Sequence, residues 1–171
     1  RTLPGALDFA FATSHRAPDY TLVHTTAVLE QGVDSEVPFY VTNLHRYSVD
    51  YGALRPGGAQ GGLDHARELP KIEDVQYGVP LGVRAMLGAQ SGAIFGRLAT
   101  VPSLPEYLYQ EPLFAAVTPY QLHVKLGHFN SLVWVTDLAT GAPVAGVAIR
   151  VYLVQPEDLS ADVMPRATAV T

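Results

Sequence analysis

The stretch "SLVWVTDLATGAPVAGVAIRVY", residues 131–152, carries the clearest structural signal in the sequence. Apolar residues alternate with other residues on both sides of its centre, which is the period-two pattern of half-buried β-strands. Between the two runs, Asp137 can form an Asx turn, Gly141 tolerates a positive φ angle and a proline stiffens the return. The stretch therefore predicts a hairpin that buries one face, and we expect Trp134 to lie beneath its sheet.

The same alternation dominates the rest of the chain, whereas amphipathic helical spacing is scarce and Gly and Pro recur between the apolar runs. The pattern predicts an all-β protein. The predicted strands are Ala6–Thr13, Tyr20–Leu29, Val37–Thr42, Arg46–Leu54, Gln76–Val83, Ala93–Val101, Leu113–Val117, Gln121–Leu126, Leu132–Thr136 and Val147–Val154. One helical turn is predicted at Val83–Gly88, because "VRAML" contains good helix formers and the glycine can end it.

A glycine-rich segment interrupts the strands between Gly52 and Gly62. The run "GALRPGGAQGG" contains five glycines and one proline, and the chain stays polar from there to Leu69. This composition predicts a mobile excursion between strands, where proteolysis would begin. The segment has no G-K-[ST] sequence and opens no helix, so it is not expected to hold a phosphate group.

A proline-rich segment, "VPSLPEYLYQEP" at residues 101–112, predicts a boundary between domains because proline cannot donate to a β-ladder. Residues 1–104 suffice for one complete sandwich of about seven strands. Residues 105–112 are the predicted connection, and residues 113–171 supply four predicted strands. The second domain is therefore expected to be truncated, and the chain to be an internal fragment of a longer protein.

The composition disfavours several classes of function. The 171 residues include 11 Lys and Arg against 16 Asp and Glu, a net charge of −5, without any basic cluster. Nucleic acid and anionic membrane surfaces are therefore not expected as partners. Cysteine is absent, which excludes disulfides, thiol nucleophiles and zinc sites built on thiolates. The sequence contains no apolar run of about 18 residues, so no transmembrane helix is predicted.

Two histidines and one serine are the first candidates for chemistry. His123 and His128 flank a predicted strand at a spacing that places them on opposite faces, so a metal site is disfavoured. His123 is expected to be a half-exposed strand residue and His128 a turn residue. Ser91, in "GAQSG", stands one place too late for a nucleophile elbow and precedes a strand instead of a helix, so it predicts a turn.

Two acidic pairs, Asp34 with Glu36 and Glu73 with Asp74, are the remaining candidates. Neither pair has the spacing of a calcium-binding loop, so both are interpreted as solvated turns. The tyrosines of the strand-like segments are interpreted as packing residues. The sequence thus predicts no catalytic residue, no cofactor-binding residue and no metal ligand, and the chain is not expected to be an enzyme.

Three stretches together carry a resemblance to a known family. The opening stretch follows "VTPYQLHVKLGHFNSL" and looks like the start of a macroglobulin-type domain from the bacterial alpha-2-macroglobulin family. "VPFYVTNLHRYSVDYGAL", residues 37–54, resembles the strand pair in which such domains carry a "TN" corner. "VPLGVRAMLGAQSGAIFGRLATVP", residues 79–102, resembles their ending of strand, short helical turn, glycine and strand.

The resemblance implies an immunoglobulin-like macroglobulin β-sandwich, one complete and one partial, that acts as non-catalytic scaffold. The parent would be a bacterial alpha-2-macroglobulin-like inhibitor of endopeptidases, a periplasmic protein anchored to a membrane as a lipoprotein, which defends the cell. Its partners would be neighbouring macroglobulin domains, and attacking proteases that meet parent regions outside this chain. The thioester found in many members needs a cysteine, so covalent trapping chemistry cannot reside here.

An alternative function remains open at this point. The pattern around "TGAPVAG" also begins stalk or accessory β-sandwich modules of surface adhesins. The isopeptide bond of some such modules needs a Lys and an Asn that face each other across a core. Lys125 and Asn130 lie too close in sequence to serve in that way. A third hypothesis is that the chain is a hydrolase, but no group of residues supports it.

Overall fold

The computed structural model describes residues 9–55, 58–88, 90–105, 112–160 and 162–171. The α-helix among them is α1 (Val83–Met86), and a 3₁₀-helix spans Pro156–Asp158. The strands among these residues are β1 (Asp19–Leu22), β2 (Thr26–Glu30), β3 (Pro38–Thr42), β4 (Arg46–Arg55), β5 (Gly58–Glu68), β6 (Tyr77–Pro80), β7 (Gly92–Val101), β8 (Leu113–Thr118), β9 (Tyr120–Leu126), β10 (Ser131–Asp137), β11 (Ala148–Val151) and β12 (Ala167–Val170). The predicted all-β class and the helical turn are confirmed.

Two sheets form the larger body of the protein. A five-stranded sheet has the order β2-β8-β7-β4-β5, and a three-stranded sheet has the order β1-β3-β6. Neighbouring strands are antiparallel except for β2 and β8, which are parallel. One apolar cluster contains inward-facing residues of both sheets. The predicted β-sandwich is therefore confirmed.

The centre of this sandwich lies between β3 and β4. Phe39 on β3, and Tyr47 and Val49 on β4, are fully buried. Ser48 lies between the two β4 residues and faces the other way, because side chains alternate along a strand. The Phe39 and Tyr47 rings meet edge to face with their centroids 5.2 Å apart. The Tyr47 hydroxyl donates to the carbonyl oxygen of Leu81 at 3.1 Å, so its one polar atom is satisfied inside the core.

The opening stretch pairs differently from the predicted hairpin. β10 pairs with β9, Trp134 lying opposite His123, and β11 pairs with β12. Two hydrogen bonds close the turn after β10. The Asp137 carboxylate accepts from the Thr140 backbone N–H at 2.8 Å, and the Val144 backbone N–H donates to the carbonyl oxygen of Val135 at 2.9 Å. The chain then turns away near Gly146, whose φ is 79°. The prediction of one hairpin across residues 131–152 is therefore wrong.

The predicted burial of Trp134 is also wrong. Its side chain is 43% exposed and stacks on the His123 ring at a centroid distance of 4.8 Å and an interplanar angle of 7°. No second sheet among the described residues covers this face of the β9–β10 pair. The alternation correctly predicts a strand, but a strand buries a side chain only where another layer lies against it.

The glycine-rich segment contains a strand instead of a mobile excursion. β5 covers eleven residues, Gly58–Glu68, and pairs along β4 from Arg46 to Arg55 with a register shift near Tyr51. It is an edge strand without a buried residue, which is compatible with its polar and glycine-rich composition. Gly52 has a packing role, because a Cβ there would lie 2.1 Å from the Phe95 ring. The loop prediction is corrected accordingly for residues 52–55 and 58–68.

Two other predicted strands also differ from the structure. The strand predicted at Tyr20–Leu29 is two strands, β1 and β2, which belong to different sheets, and the exposed Val23 lies between them. Where the chain crosses from one sheet of a sandwich to the other, its hydrogen bonding to the first sheet must end. Residues 9–13 of the strand predicted at Ala6–Thr13 form no strand, and its first three residues lie outside the described part.

β8 belongs to the five-stranded sheet, although the sequence places Leu113 at the start of the second domain. β8 pairs with β7 and with β2, and Leu113, Ala115 and Val117 are buried in the main core. Because these side chains fill the sandwich, residues 113–118 pack with the first unit. The predicted connection at residues 105–112 lies mostly outside the described residues, and the rest of the domain division stays a prediction.

Candidate functional site

Four residues from three separate segments meet at one corner of the sandwich, and we call them the corner clasp: His15, Arg16, Asn43 and Asp74. The Asn43 amide group donates to Asp74 Oδ1 at 3.0 Å and to the Arg16 carbonyl at 2.7 Å. The Asp74 backbone N–H donates to Asn43 Oδ1 at 2.7 Å. The Arg16 backbone N–H donates to Asp74 Oδ1 at 2.7 Å, and His15 Nδ1 lies 2.7 Å from Asp74 Oδ2. The clasp holds a segment without regular structure, residues 9–18, which we call the arm.

The local backbone explains why Asn and Asp stand at these positions. Asn43 lies between β3 and β4 with a φ of 51°, and Asp74 has a φ of 60°. Asn and Asp adopt this left-handed conformation more readily than other residues with side chains, because their short polar groups can hydrogen-bond locally. Asn43 is the second residue of the "TN" corner noted in the sequence, so that corner has a defined structural role.

Electrostatics in the clasp follow from these hydrogen bonds. The Asn43 amide, the Arg16 backbone N–H and His15 lower the pKa of Asp74 from 3.8 to about 2. The hydrogen bond and the negative charge of Asp74 raise the pKa of His15. The two side chains are 74% and 39% exposed, so water screens their attraction and the ion pair contributes little to stability. The clasp mainly fixes the position of the arm.

A cavity of about 330 Å³ lies beside the clasp. The arm, the corner between β3 and β4, the segment at residues 71–73 and Pro102 line it. Its base is held by backbone hydrogen bonds of His45, whose N–H donates to Val101 at 2.7 Å and whose carbonyl accepts from Leu69 at 2.9 Å. Leu44, at 2% exposure, anchors the same corner in the core. Backbone hydrogen bonds therefore fix the corner that lines the cavity.

A second polar cluster, the helix clamp, consists of Glu36 and Arg84. The Glu36 carboxylate accepts from the backbone N–H groups of Val83 and Arg84 at 2.9 and 3.1 Å, so it caps the first turn of α1. The Arg84 guanidinium donates to the carbonyl oxygens of Ser35 at 2.8 Å and Glu30 at 2.7 Å, and also to Val33. The clamp ties the loop after β2 to α1, and its role is structural.

Sequence reasoning missed both clusters. The interpretation of Asp74 and Glu36 as solvated turn residues is corrected, because each carboxylate accepts two or more hydrogen bonds from residues distant in the sequence. The acidic pairs offered no spacing signal, because the partners of Asp74 lie 31 and 58 residues away in the sequence. The only available signal was the "TN" pair at the corner.

The other candidates lie apart from the clasp. His123 stacks on Trp134 and makes a 3.1 Å hydrogen bond with Thr136 Oγ1, whereas His128 lies in an exposed bend against Phe129. Ser91 lies in a bend directly before β7. Within the part of the chain that the structure describes, no three His, Asp or Glu residues are grouped as metal ligands. No helix among the described residues has the length and apolar character needed to span a bilayer.

One face of the β9–β10 pair is apolar and largely exposed, although Val135 at one end of it is buried. Because residues directly opposite each other in an antiparallel pair share a face, Leu122, Val124 and Val133 lie together. Leu122 is 51% and Val124 56% exposed, and Leu126 beyond them is 80% exposed. Exposed apolar patches of this kind mark surfaces that contact other protein.

The described residues thus define a β-sandwich followed by two further strand pairs, with polar clusters that fix loops and no assembled catalytic group. No family model matches the chain, and the comparison with curated proteins found no significant match. Solved structures do share its fold. A crystal structure of native alpha-2-macroglobulin from Escherichia coli that spans domains MG0-NIE-MG1 matches with a TM-score of 0.54 and 14% sequence identity.

That match covers 90% of this chain and 54% of the solved chain, so this chain spans about half the length of that structure. A second structure of the same protein, spanning domains NIE-MG1, matches with a TM-score of 0.53 and 10% identity over 90% of this chain and 82% of that one. The predicted resemblance to bacterial alpha-2-macroglobulin is therefore confirmed as a likeness in fold.

Proposed function

We propose that the chain is a non-catalytic scaffold segment of a bacterial alpha-2-macroglobulin-like protein. The observation that carries this proposal is the match in fold over 90% of the chain to the NIE-MG1 segment of the Escherichia coli protein. The match extends past the main sandwich into the strands that follow it. A likeness in fold that covers both the sandwich and the strands after it favours an alpha-2-macroglobulin-like protein over an isolated sandwich module of an adhesin.

The distribution of polar groups supports a structural role. The two polar clusters on the sandwich, the corner clasp and the helix clamp, hold backbone in place through short hydrogen bonds. Catalytic groups, in contrast, need an accessible acid, base or nucleophile beside a place for the substrate. The chain is proposed to set the relative positions of neighbouring domains instead of performing chemistry.

The second unit is proposed to be incomplete within this chain. It begins after β8, at β9, and comprises two strand pairs that share no sheet. The apolar face of β9 and β10 would then be covered by further strands of the same parent protein, because a two-stranded ribbon is marginal in water unless it packs against another layer. The neighbouring macroglobulin domains of the parent are the proposed partners.

The parent protein is proposed to inhibit endopeptidases, in the periplasm and anchored to a membrane. To test this, full-length parent protein is incubated with an endopeptidase and the mixture is separated by native electrophoresis and by denaturing electrophoresis. A protease-containing species of higher mass on the native gel is expected, and its survival on the denaturing gel would indicate a covalent bond. Protease that cleaves the parent and migrates unchanged contradicts inhibition by trapping.

A matched control separates the proposed scaffold from a protease-contact role. The isolated 171-residue chain, incubated in the same way, is expected to form no complex and to leave the rate of the protease unchanged. Inhibition by the isolated chain would contradict the scaffold assignment. Cell-surface exposure of the parent with binding to a host surface, and without any protease complex, would favour the adhesin alternative.

A further inference from the structure

The outer face of the five-stranded sheet, which points away from the core, carries an apolar band. Residues that lie directly opposite each other on neighbouring strands share a face of the sheet. Two adjacent rows on this outer face are apolar, and we call them the outer band. The band consists of Phe114, Phe95 and Gly52 in one row and Val28, Ala116, Ala93 and Leu54 in the next. An apolar face of a sheet is normally buried against another element.

A segment from the later part of the chain reaches this band. A cavity of about 580 Å³ is lined by Gly52 and Phe95 of the outer band and by Leu159 and Ser160, which follow the 3₁₀-helix. Leu159 is half-buried, whereas Leu153, in the same connection between β11 and β12, is exposed. Of these two leucines, Leu159 is therefore the one that faces the sandwich.

The backbone of the β11–β12 loop, residues 152–166, holds Leu159 in this position. The Arg166 backbone N–H donates to the carbonyl oxygen of Val151 at 2.7 Å, so the loop closes at the end of the β11–β12 ladder. Within the loop, the ring of Pro156 fixes its φ angle at the start of the 3₁₀-helix, and the Leu159 N–H donates to the Pro156 carbonyl oxygen at 3.3 Å. The loop thus presents Leu159 at a closed turn that is anchored on a strand pair.

The strand pairs after β8 share no sheet with the sandwich among the described residues. Their position relative to the sandwich therefore depends on the connecting chain and on side-chain contacts. On the sandwich side, Gly61 and Gly62 also line the cavity, and a Cβ at either position would meet no atom within 4 Å. The bare backbone of these glycines leaves room for a side chain of the loop beside Phe95.

We propose that the β11–β12 loop is the joint between the sandwich and the strand pairs that follow it. Leu159 packs against Phe95 at the edge of the outer band, and this contact sets the position of the later strand pairs relative to the sandwich. The inference deepens the proposed scaffold function and rests on it for its role in the parent protein. The contact itself is tested on the 171-residue chain, so the joint and protease inhibition by the parent can fail independently.

The test is paramagnetic broadening in NMR spectra of the isotope-labelled chain. The sequence has no cysteine and Ser160 is exposed, so Ser160→Cys provides a single site for a nitroxide label. The oxidised label is expected to broaden the backbone amide signals of Gly61, Gly62 and Phe95, which line the same cavity, and its reduction is expected to restore them. Equal signal intensities with oxidised and reduced label at these three residues would overturn the proposal.

A matched pair of loop variants tests Leu159 in the labelled chain. Leu159→Ala is expected to restore most of the lost intensity at Gly61 and Gly62, because the loop loses the side chain that packs on the sandwich. Leu153→Ala shortens an exposed leucine of the same loop and is expected to restore none. Unchanged broadening in Leu159→Ala, or an equal recovery in Leu153→Ala, would contradict the proposed joint.

A second matched pair tests the sandwich side of the contact. Ala59→Asp places a charge on the cavity wall and is expected to reduce the broadening as Leu159→Ala does. Ala66→Asp makes the same change on the same face of β5, outside the cavity, and is expected to leave the broadening unchanged. Unchanged amide signals of Tyr47 in the core show that the sandwich stays folded in each variant. The proposal is overturned if Ala59→Asp has no effect or if Ala66→Asp has the same effect.

Discussion

β4 and β10 carry the same alternation of residues, but the aromatic residue of β4, Tyr47, is buried whereas that of β10, Trp134, is exposed. On β4, Tyr47 and Val49 are fully buried, because the three-stranded sheet lies against them. On β10, Val135 is also buried, but Leu132 and Trp134 on the other face of the strand are 58% and 43% exposed, because no sheet of the described residues lies over that face. The period of a sequence predicts that a strand forms, whereas burial depends on a second layer from elsewhere in the chain.

The largest expected effect tests this comparison directly. Phe39→Ala removes a fully buried ring that packs on Tyr47, and it is expected to lower the free energy of unfolding by about 3–5 kcal/mol. Trp134→Ala removes a ring whose main contact is the His123 stack, and it is expected to cost about 1 kcal/mol. Urea unfolding measures both. Equal losses would show that a covering layer does not distinguish the two strands.

Gly52 sharpens the comparison at the edge of the main sheet. A Cβ at this position would lie 2.1 Å from the Phe95 ring, so Gly52→Ala is expected to destabilise the protein by about 1–3 kcal/mol through overpacking. Gly61→Ala, on the same glycine-rich segment with open space around it, is expected to change stability by less than about 0.5 kcal/mol. Adding Phe95→Leu to Gly52→Ala should recover part of the loss, and no recovery would contradict the steric explanation.

The helix clamp predicts a smaller effect. Glu36→Ala removes the acceptor for two N–H groups at the start of α1, and a loss of about 0.5–2 kcal/mol is expected, as for other helix caps. Asp34→Ala changes an exposed acid of the same loop and is the matched control, with an effect below about 0.5 kcal/mol. Thermal unfolding of the two variants compares them. A loss at Asp34 equal to that at Glu36 would contradict the capping role.

The corner clasp predicts the smallest effect, a pH dependence. The folded pKa of Asp74, about 2, lies below the ordinary value of 3.8. Its contribution is therefore fully present above the ordinary pKa and is lost as the pH falls towards about 2. The pKa of His15 is raised, so its contribution is present below its ordinary value of 6.5 and is lost as the pH rises through the raised pKa.

Asp74→Asn isolates these dependences, because Asn also tolerates a positive φ and can keep hydrogen bonds to the clasp. Acid unfolding of the variant is expected to lack the part of the stability loss that the wild-type protein shows as the pH falls towards about 2. NMR titration of the His15 ring is expected to give a lower pKa in the variant than in the wild-type protein. An unchanged pKa of His15 would show that the ion pair does not form in solution.

Local pattern predicted much of the fold and little of the candidate site. The strands at β3, β4, β7, β9 and β10, and the turn at α1, follow from alternation and from glycine position. The pairing of β5 could not be predicted, because glycine is equally compatible with flexibility and with close approach, and only the Phe95 ring decides at Gly52. Asp74 and Glu36 depend on partners far away in sequence, which residue patterns do not encode.

The parallel pairing of β2 with β8 has a consequence for the order in which the protein is made. Thr26 on β2 can lie opposite Phe114 on β8 only after the proline-rich segment between them has been synthesised. Until β8 has left the ribosome, β2 has no neighbour in its sheet and β7 lacks one of its two. The sandwich is therefore completed only when β8 becomes available, and a nascent chain halted at residue 104 exposes the surfaces that β8 covers.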